Sequence, residues 1–156
     1  MAVEPDPDTV LADIGAELAA RVTAAVPDWV VRCVESRLPP SARDRDAVLA
    51  EAEAAGRDAQ RDVAGKLRVL LAADVDAQRS TPLEIVRAAV AHPTRVLRAA
   101  GVDPIPRDGF AEERFPDDPY GLTPASLPAM DPALREPALA WGAAKAMAHR
   151  RRHEGP

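Results

Sequence analysis

Alanine is the feature that most limits what this chain can fold into, since 33 of its 156 residues are alanine. Alanine is the strongest helix former and loses no side-chain entropy on burial, whereas a β-sheet depends on β-branched and aromatic residues. Only 3% of the residues are aromatic, and the larger aliphatics are 13 Leu, 15 Val and 3 Ile. The composition therefore predicts closely packed helices around a thin core.

The length and the cysteine content fit one intracellular domain. A chain of 156 residues can bury an adequate core without disulfides or a structural metal. Its single cysteine, Cys33, cannot form an intramolecular disulfide, and residues 1–8 lack the basic and apolar regions of a signal peptide. We expect one helical domain over residues 1–156, located in the cytoplasm and without a membrane span.

Apolar positions at helical spacing predict two helices at the start of the chain. Asp8 fits the N-cap of the first, which should end near Val26. Pro27 suits the first position of a second helix, which Pro39 and Pro40 then stop.

Residues 41–78 predict one long, Ala-rich helix, with Ser41 and Asp44 resembling a capping box at its start. Unbroken, it would extend roughly 57 Å at 1.5 Å per residue. A compact globule of this size is only about 40 Å across. Two alternatives follow: the helix breaks near Gly56 or Gly65, or it projects and contacts a partner.

The clearest local signal is the group Thr81, Pro82 and Glu84. These residues fit an N-cap, a proline at the first helical position and the acid that completes a capping box. The helix that starts there should bend or restart near Pro93 and end at Gly101, where glycine allows a left-handed cap.

Residues 102–130 contain many prolines, six acidic residues and three of the five aromatic residues. Disordered linkers are poor in aromatics, so we interpret this segment as an irregular strap whose rings pack across the helices. The alternative is a docking element in which aromatic anchors bind a partner. Its candidate residues are Phe110, Phe115, Tyr120, Asp117 and Asp118.

Asp131 and Pro132 open a last helical region, in which Leu134, Leu139 and Trp141 should face inward. The fold class expected is all-α, with five to six helices in a bundle-like or orthogonal array, one of them long and Ala-rich. Its parts are a helical core over 8–101, the irregular strap over 102–130, a C-terminal helical region over 131–152 and a tail over 153–156.

Few side chains have the spacing that chemistry requires. His149 and His153 lie four apart, which suits a divalent metal, but the arginines between them oppose a cation and favour a solvated tail. Cys33 lies on the apolar side of its helix, as a core thiol does, and His92 is expected to cap a helix or lie at the surface. We predict no catalytic residue, cofactor or metal ligand, and the sequence favours a noncatalytic chain.

Two groups of arginines are candidates for contact with nucleic acid. Three stand near the end of the chain, and two stand in the other segment with net positive charge, residues 80–101. The formal charge of −5 argues against broad adhesion to nucleic acid or an anionic membrane, although a local patch could still act. The hypothesis gains support if the two groups meet in space. The candidates are Arg95, Arg98, Arg150, Arg151 and Arg152.

Three functional hypotheses follow. The first is a noncatalytic protein–protein interaction or adaptor module, whose partner is another protein or, through the long Ala-rich helix, a second copy of this chain. The second is a nucleic-acid-associated protein that uses the arginines. The third is a small enzyme or ligand-binding protein, which requires a cavity with convergent polar groups near Trp29 or Trp141.

Overall fold

The computed structural model describes residues 6–72 and 81–154, and every regular element in them is helical. The predicted all-α class is therefore confirmed. The helices in chain order are α1 Pro7–Arg37, α2 Arg45–Ala72, α3 Pro82–Ala88, α4 Ala91–Ala99, α5 Gly109–Arg114, α6 Leu127–Met130 and α7 Arg135–Glu154, with a 3-10 turn at Pro132–Leu134.

Helix α1 continues through Pro27, so the predicted boundary between two helices at this proline is wrong. Proline has no N–H for the carbonyl group four residues earlier, which here belongs to Thr23. The side-chain amide of Gln60 in α2 donates to that carbonyl oxygen at 3.0 Å. The neighbouring helix thus supplies the hydrogen bond that Pro27 cannot make, and α1 stays intact.

Helices α1 and α2 pack side by side in opposite directions. A Cβ added to Gly56 would lie 2.9 Å from the carbonyl oxygen of Pro27, so the two backbones approach more closely here than any side chain would allow. Near the other end of the pair, a Cβ added to Gly15 would lie 3.7 Å from Cβ of Leu71. The helices are about 46 and 42 Å long at 1.5 Å per residue, so each covers the other and α2 does not project.

Helix α2 runs unbroken through Gly56 and Gly65, so over its described length the alternative of a break is wrong. Pairing with α1, and not a break, is what accommodates its length. The helix begins immediately after Asp44, which has a φ of 54°. Ser41 is therefore not its N-cap, and the capping box expected there is wrong. Residues 73–78 of the predicted helix lie outside the described residues.

The local signals at α3 and α4 are confirmed. The hydroxyl of Thr81 accepts from the N–H of Glu84, whose carboxylate accepts in turn from the N–H of Thr81, both at 3.4 Å. A new helix, α4, starts at Ala91, as expected near Pro93. It is closed by Gly101, whose φ of 75° gives a left-handed cap.

The strap contains two short helices, α5 and α6, so it is less irregular than predicted. Tyr120 is 1% exposed, and its hydroxyl donates to the carbonyl oxygen of Val102 at 2.6 Å. Two arginines of α1 donate to strap carbonyls: Arg37 to Tyr120 at 2.8 Å and Arg32 to Met130 at 2.6 Å. The strap is therefore fixed to the C-terminal half of α1.

Helix α7 packs on the N-terminal half of α1. A Cβ on Gly15 would lie 3.6 Å from the indole nitrogen of Trp141, and Ala144 and Ala148 are buried on the same side of α7. Leu139 is 66% exposed, so its predicted inward position is wrong. At 3.6 residues per turn it lies about 200° around the helix from Trp141.

The core forms where α1 meets α2, α3, α4 and the strap. Helix α1 contributes large aliphatic side chains, and α2 contributes mainly alanine in its first half, which lets the helices approach closely. The buried residues of this pair include Leu18, Val22, Val26, Val30 and Val34 of α1 and Ala52, Ala55, Ala59, Val63 and Leu67 of α2.

Candidate interaction surface

The residues predicted as a docking element do not share one exposed surface. Phe110 is 68% exposed, and Asp117 is exposed. Phe115 is partly buried, with the guanidinium groups of Arg87 and Arg114 lying 5.8 and 5.7 Å from its ring centroid. Partner binding by Phe110, Phe115 and Asp117 stays a prediction.

The other two residues of that set, Asp118 and Tyr120, serve the strap itself. The buried carboxylate of Asp118 accepts from the N–H groups of Leu122 and Thr123 at 2.8 Å and from the hydroxyl of Thr123 at 2.6 Å. Burial raises the pKa of the Tyr120 hydroxyl. Because both side chains are enclosed and hydrogen-bonded within the chain, neither is exposed to a partner.

The two arginine groups lie at opposite ends of α1. Arg152 pairs with Asp8, in the first turn of α1, at 3.3 Å. Arg98 lies close enough to Tyr120 to act on its hydroxyl, and the carbonyl of Tyr120 binds Arg37 at the last turn of α1. The two ends are roughly 44 Å apart at 1.5 Å per residue. The five predicted residues are all exposed: Arg95, Arg98, Arg150, Arg151 and Arg152.

The histidines do not form a metal centre with other described residues. The rings of His149 and His153 are in contact, with their centroids 4.4 Å apart and their planes tilted by 50°. In residues 6–72 and 81–154 there is no group of three or more His, Cys, Asp or Glu side chains that could hold a metal ion. Nε2 of His92 lies 2.7 Å from a carboxylate oxygen of Asp62. His92 thus joins α4 to α2.

Cys33 and Trp29 both belong to the core. Cys33 is 8% exposed, and burial raises the pKa of its thiol to about 12, against a smaller lowering by Arg32. Since the thiolate is the reactive form of cysteine, this thiol is inert at neutral pH. Trp29 is buried, whereas Trp141 is partly buried with the ammonium nitrogen of Lys145 lying 4.9 Å from its ring centroid.

One side of the α1–α2 pair is open to solvent and lined mainly by alanine. Four alanines of α1 recur every four residues and are all exposed. They face α2 across a groove of about 690 Å³. We call it the alanine groove, and its principal residues are Ala12, Ala16, Ala20 and Ala24 of α1 with Ala64 and Arg68 of α2.

Helix α1 contributes no charged side chain to the alanine groove, although the solvent-facing side of a helix normally carries charge. Charged residues stand instead beside the groove, mostly acidic on α1, where Arg21 pairs with Glu17, and mostly basic on α2, where Glu53 lies one turn from Arg57. They are exposed or partly exposed residues about one turn from the groove alanines. The acidic rim is Asp13, Glu17 and Asp28, and the basic rim is Arg57, Arg61 and Arg68.

The alanine groove suits contact and not acid–base chemistry. Of its lining residues only Arg68 is titratable, and arginine stays protonated in proteins. Short side chains let another helix approach closely, as in ridge-and-groove helix packing. Sequence reasoning placed a self-association surface on the Ala-rich helix at 41–78, whereas the exposed alanines that line the groove belong to α1. The signal was present as the four-residue spacing from Ala12 to Ala24.

No family model matches the chain, and no matching curated protein or solved structure was found. Every helix among the described residues is too short or too polar to serve as a transmembrane span. Function is therefore inferred from the chain's own geometry.

Proposed function

We propose that this chain is a noncatalytic protein–protein interaction module that binds a helical partner in the alanine groove. The observation that carries the proposal is the uncharged, exposed stripe from Ala12 to Ala24 on one of the two longest helices. The stripe lies beside α2, so the two helices together offer a concave surface. Grooves of this kind accept the apolar side of an amphipathic helix.

The size of the groove side chains favours a helix as the occupant. Alanine methyl groups leave the helix backbones free to approach one another, at the short end of the usual separation of about 8–10 Å. Leu71 is partly buried at one end of the groove and offers a larger apolar contact there. The rims supply opposite charges on the two sides, which would orient a bound helix.

The nucleic-acid hypothesis has less support from the geometry. A meeting of the two arginine groups would have strengthened it, and these groups lie at opposite ends of α1. Arg152 also pairs with Asp8, which reduces the charge it presents to a phosphate.

The proposal can be tested by placing a photo-crosslinking amino acid at Ala20, inside the groove, or at Ala143, an exposed alanine of α7. Irradiation in the native cells should give a discrete protein adduct from position 20 and much less from position 143. Adding the groove substitution Ala16→Arg should abolish the adduct. Absence of an adduct at position 20, or one that persists with Ala16→Arg, would contradict the proposal.

A further inference from the structure

We infer that the occupant of the alanine groove is a second copy of this chain, with two α1–α2 pairs related by a two-fold axis parallel to the helices. The inference rests on the proposed function and specifies its partner. Two observations carry it: the register between α1 and α2, and the opposite charges of the two rims.

The register is fixed by close contacts along the pair. Pro27 lies against Gly56, Thr23 is bonded to Gln60, and near the other end Gly15 lies beside Leu71. This antiparallel register puts Arg57 at the level of Asp28.

By the same register, Arg68 lies at the level of Glu17, with Asp13 about one helical turn away. Arg57, Arg68 and Asp28 have no ion-pair partner among the described residues. Arg57 and Arg68 therefore each lie level with an acidic residue of the opposite rim. Arg61 pairs with Asp58 of its own helix and lies near the level of Thr23, and Glu17 also pairs with Arg21 at 3.1 Å.

A two-fold axis parallel to the helices keeps each residue at its own level and sets α1 of one copy over α2 of the other. Asp28 of each copy then faces Arg57 of the second copy, and Glu17 faces Arg68. Each pairing occurs twice, as the symmetry of such a dimer requires. The acidic rim of one copy thus meets the basic rim of the other at the levels of these two pairs.

The alanine stripe fits this arrangement sterically. Long arginine side chains lay their methylene stems on apolar surface and keep the charged group at its edge. The stems of Arg57 and Arg68 would cross the stripe of the second copy, whose small side chains leave room for them. Larger residues at Ala16 or Ala20 would hold the helices apart.

The area is sufficient for a specific but modest dimer. The part of α1 from Ala12 to Asp28, which carries the stripe and the acidic rim, is roughly 24 Å long, and two adjacent helices are about 20 Å wide. Two such faces bury on the order of 1,000 Å², the lower limit for a specific interface. We therefore expect a dimer that dissociates on dilution.

Analytical ultracentrifugation tests the inference with the groove substitution Ala20→Arg and the matched α7 substitution Ala143→Arg. The unsubstituted chain should be dimeric at high concentration, Ala20→Arg monomeric, and Ala143→Arg dimeric. Both variants change an exposed alanine, and circular dichroism should show that both remain folded. A dimer that survives Ala20→Arg would overturn the inference.

A charge exchange tests the two-fold arrangement itself. Asp28→Arg alone and Arg57→Glu alone should each weaken self-association by about tenfold or more, because two like-charge contacts form. An equimolar mixture of the two variants should restore it, since both contacts between unlike copies then pair opposite charges. Rearrangement within one chain cannot produce that recovery. Failure of the mixture to recover would overturn the arrangement.

The photo-crosslinked adduct at position 20 separates this inference from the proposed function. An adduct of two copies of this chain supports both. A monomeric chain whose adduct contains a different protein overturns the second copy as occupant and leaves the interaction module standing. A monomeric chain with no adduct overturns both.

Discussion

The two sides of the α1–α2 pair differ in the size of their side chains more than in their polarity. The covered side carries Leu18, Val22 and Val30 of α1, all 0% exposed. The open side carries uncharged residues too, but its exposed positions on α1 are alanines, among them Ala16 and Ala20. Both sides of α1 are apolar, and only one is filled by other described residues of the chain.

Because of this difference, the covered side stabilises the fold, whereas substitutions on the open side should affect association. Burying a Leu or Val side chain contributes about 1.5–3 kcal/mol, so the covered side supplies most of the folding free energy that α1 provides. An exposed alanine contributes little in either state. The open side can therefore remain uncovered without destabilising the fold, and its substitutions should alter association more than stability.

The largest change in the free energy of unfolding is expected from Leu18→Ala on the covered side. Removing a fully buried leucine leaves a cavity and should lower the free energy of unfolding by about 2–5 kcal/mol. The matched substitution Leu139→Ala removes the same atoms from an exposed position of α7 and should change stability by less than about 0.5 kcal/mol. Urea denaturation measures both, and equal losses would show that burial does not distinguish the two sites.

Two glycines of α2 give the next largest contrast. Gly56→Ala would place a Cβ 2.9 Å from the carbonyl oxygen of Pro27 and should cost about 1–3 kcal/mol despite the gain in helix propensity. Gly65→Ala meets nothing within 4 Å and should stabilise by about 0.5–1 kcal/mol. Thermal unfolding should therefore shift in opposite directions. A stabilising Gly56→Ala would mean that α1 and α2 do not approach as closely as described.

The regular parts of the fold could be predicted from sequence because their signals are local. Alanine content and helical spacing indicated an all-α chain, and the capping box at Thr81 and the glycine at Gly101 fixed two helix ends through neighbouring backbone groups. The boundary at Pro27 was wrong because the group that rescues it, Gln60, lies 33 residues later. Sequence periodicity cannot show that a distant side chain supplies a missing hydrogen bond.

The interaction surface was only partly predictable for the same reason. Spacing showed that alanines share one side of α1, but which side is covered depends on where α4, α7 and the strap pack. The strap residues show this most clearly, because Asp117 is exposed while its neighbour Asp118 is buried. The difference arises from the hydrogen bonds of Asp118 to the N–H groups of Leu122 and Thr123.

Gln60 lies where the two sides meet, and Gln60→Met tests its bond to Thr23. The substitution keeps the length of the side chain and leaves the Thr23 carbonyl without its donor, so stability should fall by about 1–2 kcal/mol. In the background Pro27→Ala, residue 27 regains an N–H for that carbonyl, and the loss should shrink. A double-mutant cycle measures this coupling. An undiminished loss in the Pro27→Ala chain would show that Gln60 acts through packing alone.

The smallest effect on stability at neutral pH is expected from ionisation of the Cys33 thiol, because this thiol is protonated in both the folded and the unfolded state. Burial raises the pKa of this thiol from the ordinary 9.0 to about 12, so the native state retains the proton to a higher pH than the unfolded state does. The stability it contributes is therefore full below pH 9 and lost as pH rises toward 12. Denaturation across alkaline pH should show a shallower decline for Cys33→Ala.

A thiol reagent at about pH 8 should react with native Cys33 only as fast as the chain opens, because the thiolate is scarce and enclosed. A cysteine placed on the open side, as Ala20→Cys in the Cys33→Ala chain, should react rapidly in dilute solution. The ratio of the two rates measures the difference between the covered and open sides directly. Rapid labelling of native Cys33 would place it on an accessible surface and remove the contrast at that residue.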